Sequence, residues 1–597
     1  MDYFTSAEQA KQKLETISSS MCMAKWLQVS LHLPQGRTHS CYHPPTHRIP
    51  LDELEENVNA LHNTKHKMLE RLQMLSGDRP KGCQYCWNIE DAPNGPHLSD
   101  RHYRSSEWWA QEAWDEVVSN DWDYNIQPRY VEVNFNQACN FKCSYCSPHL
   151  STAWEDDIKE HGQFEFSIGS SHNDIAALED AKLMPLKIKQ SENPYVDAFW
   201  KWWPQVYPTL RVFRMTGGEP LMDKNTFRVF DYIIDNPNPD LEISLTTNMC
   251  PPNQALFDKF IEKIKKLDRI RLDEDYWKSQ PFHIDAYKQD PDPMKRTIVF
   301  YVQQGEGDDP HAWSEQIVTE SLQDLPGEFF ATNMPEIDWE DIPQKFSGLG
   351  QCDDADDLSY MYTVDYEYQE EYGVWLPTSK GYNVKRIQIF ISVDSWGTQA
   401  EYIRDGLDWE TMKRNTERLL NTTQRLHINF INTFNILSVP GLRGFLEYVQ
   451  DLRLRHGFDT QCQRFFKHKG QRVWFDTPYL RYPDWMTIQL CDDKLLQEMQ
   501  NCIDFAEQHV LDNDTYGRTY QGFKNYEVAK LKRDLAWAQE GDKLDGVHVQ
   551  NMKIKFYEYF SEYDRRRNKN FLQAFPEMQE YWEECKLTCE EYNETGK

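Results

Sequence analysis

The chain is short of positive charge. Against 96 Asp and Glu it sets only 65 Lys and Arg, a formal net charge of −31 over 597 residues. A grip on duplex nucleic acid needs clustered Lys and Arg, so no duplex nucleic acid is expected as a partner. The same balance suits solubility, a basic peptide or a small-molecule substrate. Long apolar runs are also lacking. The stretch IQIFISV at 387–393 is far shorter than the roughly 18 residues of a membrane helix, and no membrane association is expected. The opening MDYFTSAEQAKQKLE has an early acid and no apolar core, and does not read as a signal peptide. A cytoplasmic setting follows as the expectation. There, 14 Cys do not suggest a disulfide framework, and clustered ones read as metal-binding or catalytic. Internal repeats and low-complexity tracts are absent.

Aromatics are abundant, with 20 Trp, 31 Tyr and 30 Phe, which predicts packed globular units rather than disorder. At roughly 150 residues per domain the length suggests three to four units. From about 128 onward strands and helices alternate. RYVEVNF (129–135), LRVFRMT (210–216), LEISLTTN (241–248), VKRIQIFISVD (384–394), LHINFINTFNIL (426–437) and QRVWFD (471–476) read as strands. FRVFDYIIDN (227–236), WETMKRNTERLLNTT (409–423) and LRGFLEYVQDLRLRHG (442–457) read as helices. This alternation predicts an α/β fold of right-handed βαβ units with a parallel sheet or barrel. Residues 150–205 and 262–383 break the pattern and read as insertions. Beyond 493 the chain reads as a charged, helical cap.

Functional residues of such folds gather at the carboxyl ends of strands. Four motifs fall there: QACNFKCSYCSP (137–148), GGEP (217–220), TTN (246–248) and SVDS (392–395). The first holds Cys139, Cys143 and Cys146 in a C-x3-C-x2-C spacing. Three thiolates can bind three irons of a [4Fe–4S] cluster and leave the fourth iron open. A structural zinc site needs four ligands, so zinc here requires one from elsewhere. GGEP alone fits a turn; it lies 71 residues beyond Cys146, directly behind a strand.

With Tyr145 in its aromatic position, the cysteine motif resembles that of the radical S-adenosylmethionine superfamily, C-x3-C-x-aromatic-C, and GGEP resembles that family's glycine-rich element. The resemblance covers about residues 128–480. It implies a partial (β/α)6 barrel of the TIM-like type, spanning 128–492 with its insertions. It implies a [4Fe–4S] cluster on Cys139, Cys143 and Cys146, with S-adenosylmethionine as second cofactor. Thr216, Gly217, Gly218 and Glu219 would meet the amino group of S-adenosylmethionine, and Asn248 its methionine part. Ser392 and Asp394 match a position that meets the ribose, and Arg404 resembles an arginine that pairs with the methionine carboxylate. For these residues turn and surface roles stand as alternatives, and for Leu437, a candidate for the adenine pocket, a core role. The chemistry implied is reductive cleavage to a 5′-deoxyadenosyl radical, fed by a flavodoxin- or ferredoxin-like one-electron donor. Cys352, in the acidic insertion, is a candidate to quench the product radical.

Residues 1–127 carry a second set: Cys22 followed by Trp26, Cys41 after Gly36, and Cys83 and Cys86 after Gly77 and Pro80, with Glu90 behind. This segment resembles the Twitch/SPASM type of auxiliary iron–sulfur domain, and four Cys imply one further [4Fe–4S] cluster. Two features depart from that pattern. The segment precedes the barrel instead of following it, and Ser40-Cys41 stands where a Cys pair is usual. Zinc stays open for these four Cys, as does mixed ligation with His32, His39, His43, His47, His62 or His66. Relatives with auxiliary clusters imply a peptide or protein side chain as substrate. A small molecule, or a non-catalytic metal-binding scaffold, are the alternatives.

Overall fold

The computed structural model describes residues 5–268 apart from 94, 96, 190 and 191, and 383–596 apart from 424–425, 457–471 and 511–521; between these blocks it describes the backbone of six strands. One nine-stranded sheet organises the molecule. Its strands are β1 (Gln28–His32), β2 (Arg37–His39), β3 (His47–Arg48), β4 (Tyr130–Asn134), β6 (Val212–Thr216), β7 (Asn238–Thr247), β14 (Val384–Ser392), β16 (Leu426–Ile431) and β17 (Val473–Asp476). The order is β17-β16-β14-β7-β6-β4-β1-β2-β3. From β17 to β1 every pairing is parallel; only the β2 and β3 hairpins run antiparallel. The chain is thus α/β with a large parallel sheet. A two-stranded ribbon joins β5 (Lys142–Cys143) to β15 (Arg404–Asp405). A separate six-stranded sheet holds β8 (Phe282–Gln289), β9 (Lys295–Gln303), β10 (Trp313–Ser321), β11 (Lys345–Gly350), β12 (Tyr362–Gln369) and β13 (Val374–Thr378). It lies in the sequence segment read as the second insertion. Cys352, within that segment, lies outside the described residues.

The strands form where β-branched and aromatic residues alternate or run together. In β14 the buried Val384, Ile387, Ile389 and Ile391 all face the main core. The helices that return the chain are amphipathic and capped. Lys224–Asp235 starts at Asp223, whose side chain accepts from the Asn225 N–H, and Trp409–Thr422 starts at Asp408. The amino-terminal cysteine segment does not stand apart from this sheet. β1 pairs parallel with β4 in full register, Gln28 to Tyr130 through His32 to Asn134. Val29 and Leu31 enter the main core, while Met21, Trp26, Met74, Trp87 and Trp109 build a second, smaller one. The carboxyl-terminal region is helical, with Gly546–Arg567 packed against Gln579–Thr595. No described helix is long and apolar enough to cross a membrane.

Among the described residues β17 and β1 share no ladder, so the sheet is open by hydrogen bonding. Arg481, on the loop after β17, lies 6.0 Å from the ring of Tyr85 in the helix that carries Cys86.

Candidate active site and a second cysteine pocket

The loop 137–148 leaves the carboxyl end of β4, and its neighbours fix nearly every backbone carbonyl. The Glu219 N–H donates to Ala138 O at 2.6 Å and the Thr152 N–H to Gln137 O at 3.1 Å. Ser151 Oγ donates to Phe141 O, Trp154 Nε1 to Cys143 O and Tyr559 Oη to Ser144 O, at 2.9, 2.9 and 2.5 Å. β5 is stitched to β15, with Cys143 opposite Arg404. A loop so fully paired presents its thiols from a fixed frame.

The glycines of GGEP are a steric requirement. A Cβ on Gly218 would lie 2.3 Å from Ala138 O and 2.6 Å from Gln137 O, closer than real Cβ atoms come. Gly217 has φ +126, in the region that favours glycine. Glu219 is buried. One carboxylate oxygen accepts from Leu221 N–H and Thr247 Oγ1 at 3.0 and 2.9 Å, the other from Asn248 N–H at 2.7 Å. The carboxylate thus ties the end of β6 to the end of β7. Burial pushes its pKa up to about 7 against those three donors. Asn248 reaches back to the cysteine loop, donating to Asn140 Oδ1 at 3.0 Å.

From the other side, Asp394 and Arg404 form an ion pair at 2.7 Å, with side chains 0% and 8% exposed. Tyr145 Oη donates to Asp394 at 2.8 Å, and the Arg404 guanidinium also contacts Tyr145 Oη and Cys143 Sγ. Asp394 further accepts from Thr433 N–H at 2.9 Å. Cys139, Cys143, Cys146, Tyr145, Gly217, Gly218, Glu219, Asn248, Asp394 and Arg404 are therefore linked through the loop. Thr216 ends β6 and Ser392 ends β14, at the same edge of the sheet but outside this network. Leu437 is fully buried in the main core. Burial raises the three thiols, Cys146 to about 12, so ligation of a metal would be coupled to release of their protons.

The other four cysteines also converge. Cys22, Cys41, Cys83 and Cys86 line one pocket with Lys25 and Arg101. Cys22 is the residue before the helix Met23–Leu27, Cys41 follows β2, and Cys83 and Cys86 flank the start of the helix Gln84–Glu90. Glu90 holds Arg101 by two hydrogen bonds of 2.9 and 2.8 Å. Of the six histidines, only His43 lines this pocket. His32 and His39 pair with each other at 3.0 Å, and His62 with Trp26 O at 2.7 Å. Among the described residues no three His, Cys, Asp or Glu side chains stand close enough to hold a single metal ion.

Sequence reading missed three anchors. Trp154 had a local signal, since Ser151 caps the helix Thr152–His161 directly behind the loop. Lys25 and Tyr559 had none; their roles arise from contacts distant in sequence.

No family model matches the chain, and no solved structure matches it. Curated proteins do. Over 152 residues the chain is 28% identical to the GTP 3′,8-cyclase of Desulforamulus reducens, covering 25% of this chain and 35% of that protein. Over 172 residues it is 25% identical to the GTP 3′,8-cyclase of Syntrophomonas wolfei, covering 28% and 41%. The enzyme of the same name from Campylobacter curvus is 26% identical over 119 residues, 20% and 27% of the two chains. The chain thus spans well under half the length of the curated relatives it matches. Those relatives are radical S-adenosylmethionine enzymes, and the similarity supports that superfamily for this chain.

Proposed function

We propose that the chain is a radical S-adenosylmethionine enzyme built on a partial (β/α)6 barrel, β4, β6, β7, β14, β16 and β17, within boundaries of about 128–492. The barrel reading is supported by a strand order that follows the sequence. One observation carries the function: three thiols on a carbonyl-capped loop, with GGEP, Asn248 and the Asp394–Arg404 pair gathered on it. Cys139, Cys143 and Cys146 would hold a [4Fe–4S] cluster with one iron open. When bound, the cluster supplies the electron that cleaves S-adenosylmethionine to methionine and a 5′-deoxyadenosyl radical.

The residues then take these roles. The backbone carbonyls of Thr216, Gly217 and Gly218 would receive the ammonium of S-adenosylmethionine, while Glu219 holds their turn in place. Arg404 faces the carboxylate, and Asn248 flanks the methionine part. Asp394 and Ser392 serve the ribose. Tyr145 fixes Asp394 and Arg404 against the cysteine loop. The helical cap from 493 onward shields the site.

The four-cysteine pocket is read as a Twitch-like auxiliary site holding a second [4Fe–4S] cluster. The four thiols that line it match in number the four ligands of a [4Fe–4S] cluster. For substrate, a peptide or protein side chain is the leading reading. An open pocket of about 630 Å³, lined by Tyr85, His97, Tyr103 and Arg481, lies between the auxiliary helix and the loop after β17 and could take part of an extended chain. The small-molecule reading draws on the relatives, whose name specifies a nucleotide. Anaerobic reconstitution followed by reduction tests the proposal. Formation of 5′-deoxyadenosine, lost in Cys139→Ala, is the expected result; no cleavage by an iron-loaded chain refutes it. A flavodoxin- or ferredoxin-type donor should replace the chemical reductant.

A further inference from the structure

Lysine is rarely buried with its charge intact, because desolvation disfavours the ammonium. Lys25 is 1% exposed, and it lines the four-cysteine pocket. It sits three residues beyond Cys22, on the same face of the first turn of Met23–Leu27, and its backbone N–H donates to Cys22 O at 3.1 Å. Behind it, Glu70 accepts from the ammonium at 2.6 Å. Glu70 is itself packed against the backbone beside Cys83: a Cβ on Gly82 would lie 2.7 Å from its Oε1. The ion pair with Glu70 is what lets the ammonium be buried at all. The cation therefore fronts the pocket and its carboxylate stands behind. Arg101 repeats the arrangement, lining the pocket in front of Glu90, its guanidinium pinned by both carboxylate oxygens.

We propose that Lys25 raises the reduction potential of the cluster read into the four-cysteine site, by stabilising the negative charge added on reduction. The proposal rests on the reading of that pocket as a cluster site. Four thiolates and a cluster core of charge +2 carry a net charge of −2. One electron from a low-potential one-electron carrier takes this to −3; no bond is made and no proton is required. A fixed ammonium beside the sulfurs favours the reduced form. A zinc site has no such second state.

The test uses the full-length chain carrying Cys139→Ala, Cys143→Ala and Cys146→Ala, so that only the four-cysteine site can load iron. After anaerobic reconstitution, iron content and the electron paramagnetic resonance of the reduced cluster are followed in a redox titration. Lys25→Met should leave iron content unchanged, shift reduction to lower potential, and lower the reduced-to-oxidised ratio at a fixed potential about tenfold. Lys25→Arg should restore it. Should Lys25→Met fail to fold with Glu70 left unpaired, Lys25→Met with Glu70→Gln removes both charges and should show a smaller shift in the same direction. Full iron with an unchanged ratio in these variants overturns the role of Lys25. No iron in the parent, or zinc in its place, overturns the reading of the pocket itself, and the role of Lys25 with it.

Discussion

The molecule holds two cysteine sites at the same sheet, and they are built on different principles. The three-cysteine loop is a backbone construction: its carbonyls are capped by Glu219, Ser151, Thr152, Trp154 and Tyr559, and a glycine pair lets β6 approach it. The four-cysteine pocket is a side-chain construction, walled by Lys25 and Arg101 with carboxylates behind them. The first arrangement presents three thiols from a hydrogen-bonded backbone frame. The second gathers four thiols beside two paired cations. A site that must admit a cosubstrate needs an exposed, precisely placed backbone; one that stores charge needs counter-ions.

This contrast can be broken most decisively with Cys139→Ala. It should abolish 5′-deoxyadenosine formation and lower iron from about eight to about four per chain, leaving the second site loaded. Loss of all iron would show that the two sites do not load independently. Next in size is Gly218→Ala. The added methyl must displace Ala138 O, which lies 2.3 Å from the Cβ position, and cleavage of S-adenosylmethionine should fall about 10²-fold with little loss of iron at the pocket. Turnover at the wild-type rate would remove the steric argument.

Arg404→Met sharpens the comparison from the charge side. It leaves Asp394 buried without its cation, and should cost about 3–5 kcal/mol in denaturant unfolding of the apo chain. Arg404→Met with Asp394→Asn should recover part of that. The smallest effect is expected for Tyr559→Phe, which deprives Ser144 O of its donor at roughly 1–3 kcal/mol. Its signature is a changed paramagnetic spectrum of the three-cysteine cluster, with the pocket's spectrum unaltered.

Much of the loop site was legible because its determinants are local. Three Cys within eight residues, two glycines after a strand and an acid in a strand-end turn each announce themselves by spacing. The α/β alternation was legible for the same reason: β4, β6, β7, β14, β16 and β17 all begin within three residues of their sequence-based positions. What stayed hidden depends on pairs distant along the chain. Nothing near residue 25 declares that its ammonium meets Glu70, and nothing in Gln28–His32 declares that it extends the sheet beside β4. Glu219 shows the limit in miniature. Its motif marks it as a candidate for the ammonium of S-adenosylmethionine but does not declare the donors from Leu221, Thr247 and Asn248 that tie it to the end of β7.

The hydrogen bond from Tyr559 to Ser144 spans 415 residues of sequence. A ribosome adding roughly 5–20 residues per second needs about 20–80 s to cover that distance. Throughout that interval the emerging chain carries its cysteine loop without the tyrosine that fixes it. Until the helix Gly546–Arg567 has been made and packed, the cysteine loop lacks the donor that the folded chain supplies to Ser144 O.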